Sequence, residues 1–321
     1  MKKSRNVIDR NLNALTRISV YVVLIGIFII AAPEVFLGYR IYVAFLSTIP
    51  FTLVMALGLT FVVIAGELDL SFPGVLCFSS FVFAFTLINT GNSMLAVLAT
   101  LISGTIMGFI NGVIITKTKI PSIITTLGTQ FVWMGLALIL SKASMFSMGF
   151  ARELLVFKIF AGKIGGVLPP QSLWAFGLAI LLGLILNKHR FGETILLVGD
   201  NREAARMMGI NTDKVIIQVF GLMGLLSAFA GMSLTLEMAG WWPTYGPGYL
   251  LEAIAAVFIG GTATHGGEGT ILGTVIGTFI IGSMTAGIVA AGVGAFWVKF
   301  VQGLVLLGAV LLNLVLKKRE A

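Results

Sequence analysis

Long apolar runs recur along this chain at short intervals, and they constrain its fold more than any other feature. Apolar residues make up 58% of its 321 residues and charged residues only 11%, whereas a typical globular protein carries about 25% charged residues. A helix needs roughly 20 apolar residues to cross the hydrocarbon core, and in lipid it satisfies its backbone polar groups internally. The sequence therefore predicts an all-α polytopic membrane helical bundle of about ten transmembrane helices, folded as a single domain over residues 1–321.

The predicted spans follow these runs and leave no room for a soluble domain between them. The first run starts at Ile18 behind the basic stretch MKKSRNVIDRNLNALTR. Because it is longer than the core of a signal peptide, we expect it to remain as an uncleaved span. The eighth run is short, so a helix that enters the membrane only part-way is one interpretation of it. The spans are predicted at 18–37, 42–65, 73–90, 94–116, 123–141, 171–187, 215–238, 249–261, 270–291 and 296–316.

The positions of the basic residues predict how the bundle is oriented in the lipid. Cytoplasmic loops are enriched in Lys and Arg. An even number of spans leaves both termini on one side, and fifteen of the 21 Lys and Arg fall on that side. They are Lys2, Lys3, Arg5, Arg10, Arg17, Lys117, Lys119, Lys188, Arg190, Arg202, Arg206, Lys214, Lys317, Lys318 and Arg319. We therefore expect both termini and a polar segment at about 188–214 to be cytoplasmic, and the net charge of +8 requires no nucleic-acid partner.

Two sets of small-residue motifs lie five spans apart and favour an inverted repeat, an arrangement common in transporters. FPG at 72–74 follows the second span, and GPG at 246–248 follows the seventh. Glycine triplets at four-residue spacing predict close helix packing in the fourth and ninth spans. The triplets are Gly104, Gly108 and Gly112, and Gly269, Gly273 and Gly277. Because the chain has 39 glycines, a chance match is the alternative interpretation.

One dense polar segment, VGDNREAARMMGINTDKV at 198–215, interrupts the apolar runs. Asp200 with Glu203 three residues later is typical of a capping box, and Gly209 is a natural helix stop. A helix this short is not stable alone in water and needs a surface to lie on. Ala204, Ala205 and Met208 are predicted to form an apolar face that fits a groove on another protein. The alternative is a solvated loop with one helical turn.

Several motifs occur in an order that resembles one family of transport proteins. REAARMMGIN at 202–211 is similar to the EAA loop of ABC importer permeases, the loop that docks on the ATP-hydrolysing subunit. GELDLSFPG at 66–74, KTKIPSIITTLGT at 117–129 and the run from GPGYLLEAIAAV to GTFIIGSM at 246–284 also match. From near Phe45 onward, the chain thus resembles the ribose-type branch of the sugar ABC permeases. Branched-chain amino-acid permeases share the same general plan.

The chain departs from that branch at three positions. Glu67 stands where the branch usually has glycine, Glu252 replaces an Asp, and Ala286 lies where Asn is common. These departures leave open which sugar is carried, whether a pentose, a hexose or a furanose-like molecule.

The resemblance implies a bacterial inner-membrane machine of several chains. Its parts are two permeases (two copies of this chain, or this chain and a paralogue), an ATP-binding ABC subunit, and a periplasmic or extracellular binding protein that delivers the sugar. This chain has no G-x-x-x-x-G-K-[ST] phosphate loop, so we expect ATP hydrolysis in a separate chain and neither enzymatic activity nor a cofactor here. The residues expected to couple to the ATPase are Asp200, Glu203, Ala204, Ala205, Gly209 and Ile210.

Candidates for the substrate pathway are polar or aromatic residues near the ends of spans. They are Glu67, Asp69, Trp241, Trp242, Tyr245, Thr262 and Thr264. Ionisable groups at membrane depth are costly and often functional. The alternatives are that Asp69 or Ser71 caps a helix, that the glycine-rich stretch at 260–269 is a plain inner loop, and that the aromatic residues form an interfacial belt.

Other functions stay open on the residues alone. A permease for branched-chain amino acids or nucleosides fits the same superfamily. An ion-coupled secondary transporter needs buried acids on broken helices, and here Glu34, Glu67, Asp69, Glu237 and Glu252 fall toward predicted helix ends. An intramembrane enzyme would need an HExxH pair or a nucleophile with its base, and a metal site would need a cluster of ligands. The chain has only two isolated histidines and one cysteine.

Overall fold

Helices account for nearly all of the regular structure in the part of the chain that is described. The computed structural model describes residues 2–292, 294, 297–304 and 307–308, with side chains from Leu15 onward. The helices are α1 (Lys2–Ala31), α2 (Pro33–Phe36), α3 (Tyr39–Ile64), α4 (Phe72–Thr90), α5 (Ser93–Thr118), α6 (Ser122–Ser141), α7 (Leu155–Phe160), α8 (Pro170–Lys188), α9 (Arg190–Asp200), α10 (Arg202–Met207), α11 (Thr212–Glu237), α12 (Gly248–Ile259) and α13 (Ile271–Ala290). The predicted all-α membrane fold is confirmed.

Seven of these helices are long and apolar enough to cross a membrane: α3, α4, α5, α6, α8, α11 and α13. The predicted first span, 18–37, is not one helix, because the chain breaks at Ala32 and restarts at Pro33. The eighth is α12, whose 12 residues rise only about 18 Å and cannot cross about 30 Å of hydrocarbon. The tenth, 296–316, lies largely outside the described residues, of which 297–304 are helical.

Short elements lie at the two ends of the bundle. At one end, β1 (Phe146–Ser147) pairs antiparallel with β2 (Gly240–Trp241), near α7 and a 3₁₀ helix, Gly149–Glu153. At the other end lie α9, α10 and the loops at 65–71, 119–121 and 260–270, which we call the α10 end. Helix α9 falls where a loop was expected. It buries Gly192, Ile195 and Val198 at three-residue spacing, so one side of it packs on the bundle.

Helix α3 forms the centre of the molecule. Every residue from 49 to 65 is buried, and the helix packs against α8, α11, α12 and α13. Because these neighbours surround residues 49–65, that part of α3 is shielded from lipid. A displacement of α3 at the α10 end would therefore also move the four helices that pack against it.

The two glycine triplets lie in different packing environments. On α5, a Cβ at Gly104 would collide with Ala228 and one at Gly108 with the carbonyl oxygen of Phe220, both on α11. The second triplet faces α12 instead, where Cβ atoms at Gly273 and Gly277 would collide with backbone oxygens of Gly260 and Ala256. Gly269 precedes α13 and is not on its helical stripe. The triplets are thus not equivalent, and their support for an inverted repeat is lost.

The FPG and GPG motifs, unlike the glycine triplets, lie in related positions in the fold. The FPG at 72–74 begins α4 and the GPG at 246–248 begins α12. The two meet, because a Cβ at Gly246 would collide with the carbonyl oxygen of Pro73. The N-termini of two helices that follow the second and the seventh span therefore lie side by side. This is the contact expected where two inverted halves of a bundle join.

Candidate functional site

Helix α10 forms the tip of the α10 end, and its capping differs from the prediction. Asn201 is the N-cap, and its Oδ1 accepts a hydrogen bond from the backbone N–H of Ala204 at 3.0 Å. Asp200 is instead the last residue of α9. The predicted capping box from Asp200 to Glu203 was therefore wrong, because α9 extends one residue too far for Asp200 to cap the next helix. Glu203 lies in the first turn of α10 and approaches Arg206 at 3.9 Å.

The C-terminus of α10 is closed by a left-handed glycine, as the sequence predicted. Gly209 has φ of +82°, a conformation that side chains disfavour. Its N–H donates to the carbonyl of Arg206 at 2.9 Å, and the N–H of Ile210 donates to that of Ala205 at 3.1 Å. These two bonds form the Schellman pattern that satisfies the last carbonyls of a helix.

Of the three residues expected on the apolar face of α10, Ala204 and Met208 are exposed and Ala205 is not. Ala205 is only 1% exposed and packs in the main core, with Ile210 against the same cluster. Met207 and Met208 are 89% and 68% exposed, and Ala204 and Glu203 are also exposed. Ala205 and Ile210 therefore hold the helix on its own bundle, while the two methionines are free to meet another surface.

Two ion pairs link α10 to its surroundings. Arg202 contacts Glu67 at 2.6 Å, and Arg206 contacts Asp213 at 3.0 Å. The Arg206 Nε also donates to the Thr212 hydroxyl at 2.9 Å. A pocket of about 370 Å³ opens beside these pairs and is lined by the end of α5, the start of α6 and the charged face of α10.

Glycines allow three backbone segments to touch directly behind α10. A Cβ at Gly199 would collide with the carbonyl oxygen of Ile64, and one at Gly266 would lie 2.9 Å from both Gly199 O and Gly66 Cα. The N–H of Gly267 donates to the Ile64 carbonyl at 2.8 Å. The end of α3, the end of α9 and the loop at 260–270 are thus locked together. Within that loop, Thr262 is buried and Thr264 is exposed.

Asp69 occupies a buried polar position in the segment between α3 and α4. It is 1% exposed, and its Oδ1 accepts hydrogen bonds from the backbone N–H and the hydroxyl of Ser71 at 2.7 and 2.6 Å. The amide of Asn111 donates to the same hydroxyl at 2.6 Å. The Asp69 carboxylate therefore orients Ser71, the residue directly before α4. The alternative that Ser71 caps the helix is not met, because its side chain makes no cap hydrogen bond to α4.

The aromatic candidates at the other end of the bundle separate into two kinds. Trp241 is fully buried, and its Nε1 donates to Cys77 O and Ser80 Oγ, each at 3.1 Å. It therefore belongs neither to an interfacial belt nor to a surface that contacts a partner. Trp242 is 37% exposed and lies 5.3 Å from the Tyr245 ring, while the Tyr245 hydroxyl donates to Gly240 O at 2.9 Å.

A polar cluster inside the bundle was not predicted. Glu252 on α12 accepts hydrogen bonds from Thr52 at 3.2 Å and from Gln302 at 3.4 Å, and Gln302 also donates to Thr285 at 3.0 Å. Glu252 was expected near a helix end. No sequence signal links it to Thr52, which is 200 residues away. Among the described residues, no three His, Cys, Asp or Glu gather as a metal site.

Comparisons with known proteins agree with this architecture. A family model described as branched-chain amino acid transport system / permease component matches residues 41–310. Ribose import permease protein RbsC of Escherichia coli strain K12 is 34% identical over 262 residues, which cover 81% of each chain. RbsC of Bacillus subtilis strain 168 is 35% identical over 259 residues, or 81% of this chain and 80% of that protein. Autoinducer 2 import system permease protein LsrC of Salmonella typhi is 30% identical over 295 residues, or 91% and 83%. The chain therefore belongs to the family of permease components of branched-chain amino acid transport systems.

Proposed function

We propose that this chain is the permease subunit of an ATP-driven importer and forms the path for a sugar that a binding protein delivers. The chain is a multi-pass membrane protein of a permease family, and two of its relatives are named for the import of ribose and of autoinducer 2. In this proposal the chain lies in the bacterial inner membrane with both termini in the cytoplasm. A second permease and a pair of ATP-binding subunits complete the transporter.

The observation that carries this proposal is the construction of α10. The end of α9, directly before α10, lies in backbone contact with the end of α3 and with the loop at 260–270, and Ala205 holds α10 in the core, whereas Met207 and Met208 project from the tip of α10. A helix that is rigidly held yet presents an uncovered apolar tip is suited to receive force from a partner. We assign docking on the ATPase to Glu203, Ala204, Met207 and Met208, and anchoring to Asp200, Ala205, Gly209 and Ile210.

The substrate-pathway candidates divide by exposure. Trp242 and Thr264 are exposed, and Tyr245 packs beside Trp242, so we retain these three. Asp69, Trp241 and Thr262 are buried and are proposed to have structural roles. Glu67 is instead paired with Arg202 of α10.

The test is uptake by membrane vesicles that contain this chain together with the proteins encoded beside it. We expect uptake to require both ATP and a second polypeptide. Uptake by this chain alone, driven by a proton or sodium gradient, would instead support the ion-coupled alternative. Because the family description names branched-chain amino acids, leucine and ribose should be compared as competitors. The proposal predicts that ribose or another sugar competes and leucine does not.

Glu203→Lys is expected to uncouple ATP hydrolysis from uptake while the protein still inserts. The Glu203 side chain is 84% exposed, so the change costs little stability, but it reverses the charge on the docking face. We expect uptake to fall by at least about tenfold, the effect of losing 1.4 kcal/mol of interaction. Glu193→Lys is the matched control, since Glu193 is an exposed acid in the first turn of the neighbouring α9. Unchanged uptake by Glu203→Lys would contradict the docking assignment.

A further inference from the structure

The segment at 65–71 connects the centre of the bundle to the start of α4. It leaves the end of α3 and runs alongside α6, where the N–H groups of Leu68 and Leu70 donate to Ser122 Oγ at 3.1 Å and Thr126 Oγ1 at 3.0 Å. It ends in the hydrogen bonds between Asp69 and Ser71, directly before α4. The first turn of α4 then carries Pro73, which meets Gly246 at the start of α12. A shift of this segment therefore reaches the junction of the two helix N-termini.

A single side-chain pair joins that segment to α10 among the described residues. Arg202 is the first residue of α10, and its Nη2 lies 2.6 Å from the Glu67 Oε1. The Glu67 side chain is only 11% exposed, while that of Arg202 is 39% exposed. Removing Arg202 would leave the Glu67 carboxylate poorly solvated and without this cation. The other pair on α10, Arg206 with Asp213, reaches only the first turn of α11 and is about half exposed on both sides.

We propose that the Arg202–Glu67 ion pair transmits displacement of α10 to the 65–71 segment, and through it to the Pro73–Gly246 junction. This inference rests on the proposed coupling role of α10. Behind α10, the hydrogen bond from Gly267 to Ile64 joins the 260–270 loop to the end of α3, and the close approaches at Gly199 and Gly266 resist compression but not separation. The Arg202–Glu67 ion pair is the side-chain contact that joins α10 itself to the 65–71 segment and resists their separation, so it is able to pull on that segment.

The test compares the number of solute molecules imported per ATP hydrolysed, in vesicles that contain the complete transporter. The variants are Glu67→Gln, Arg202→Gln, Arg202→Lys and the exchanged pair Glu67→Arg with Arg202→Glu. We expect the two Gln variants to lower the ratio by roughly fivefold to tenfold, the size of effect seen when coupling is perturbed along a path. Arg202→Lys and the exchanged pair should restore most of the wild-type ratio of solute imported to ATP hydrolysed. Arg206→Gln and Asp213→Asn are matched controls and should change the ratio by about twofold or less, since exposed pairs contribute little.

The possible outcomes distinguish failure of the Arg202–Glu67 link from failure of the proposed function, ATP-driven import. No ATP-dependent uptake by the wild type would overturn both. Normal wild-type uptake with an unchanged ratio in Glu67→Gln, or an exchanged pair no better than either single change, would overturn the link alone. Should the Glu67 variants fail to insert, the comparison of Arg202→Lys with Arg202→Gln decides, because the Arg202 side chain is 39% exposed and its replacement leaves no cavity in the core. An equal ratio in those two variants would also overturn the link.

Discussion

Replacing Met207 and Met208 together by aspartate is expected to abolish ATP-dependent uptake, although the protein still inserts. These side chains are 89% and 68% exposed, so the free chain loses little packing. In the assembled transporter both would be covered by the ATPase. Burying a methionine contributes about 1.5–3 kcal/mol, so losing two weakens docking by at least about a hundredfold. The measurement is recovery of the ATPase subunit with the purified permease, followed by uptake.

Met145→Asp is the matched control for this pair of changes. Met145 is 69% exposed but lies beside β1, at the other end of the bundle. It should leave recovery of the ATPase unchanged. If the double variant retained the ATPase and transported at the wild-type rate, the tip of α10 would not be the docking surface.

Replacing Gly108 by alanine is expected to disrupt the packing of α5 on α11. The added Cβ would collide with the backbone carbonyl of Phe220, and a backbone atom cannot rotate away as a side chain can. The two helices must therefore separate, and Gly104 next to it in the seam loses its contact too. Overpacking of this kind costs about 1–3 kcal/mol, occasionally more. The measurement is thermal unfolding of the purified protein in detergent, followed by size-exclusion chromatography.

Gly128→Ala on α6 distinguishes this effect from a general intolerance of alanine. A Cβ built at Gly128 meets no described atom within 4 Å, and alanine favours a helix over glycine by about 1 kcal/mol. We expect this variant to be as stable as the wild type or more so. Equal stability of Gly108→Ala and Gly128→Ala would mean that α5 and α11 are not packed as closely as described.

The long helices could be predicted from the sequence because each one is an unbroken apolar run bounded by polar or turn residues. Helices α3, α5 and α11, each of 26 residues, are of this kind. The break before Pro33 was missed because the residues around it are apolar except for Glu34, so the averaged hydropathy of this stretch stays high. Helix α9 was missed for the opposite reason: an amphipathic helix has no long apolar run.

The candidate site was harder to predict, because it depends on contacts between distant parts of the chain. The exposed segment with Glu203 and Gly209 was recognisable from local spacing alone. That Ala205 turns inward, and that Arg202 finds Glu67 135 residues away, depends on how α10 lies on the bundle. Trp241 shows the same limit, since its position in the sequence fits an interfacial belt, whereas the pairing of β2 with β1 buries it.

The most direct test of the account is the location and contact of a single cysteine at Met207. Cys77 is the only native cysteine, and it is buried, so a Met207→Cys variant carries one accessible thiol. When the permease is expressed without the ATPase subunit, a membrane-impermeant maleimide is expected to label this thiol in inside-out vesicles but not in intact cells. A thiol-to-amine cross-linker should join it to the ATPase subunit in the assembled transporter. Labelling from outside the cell, or no cross-link to another polypeptide, would contradict the proposal that α10 couples this permease to its ATPase.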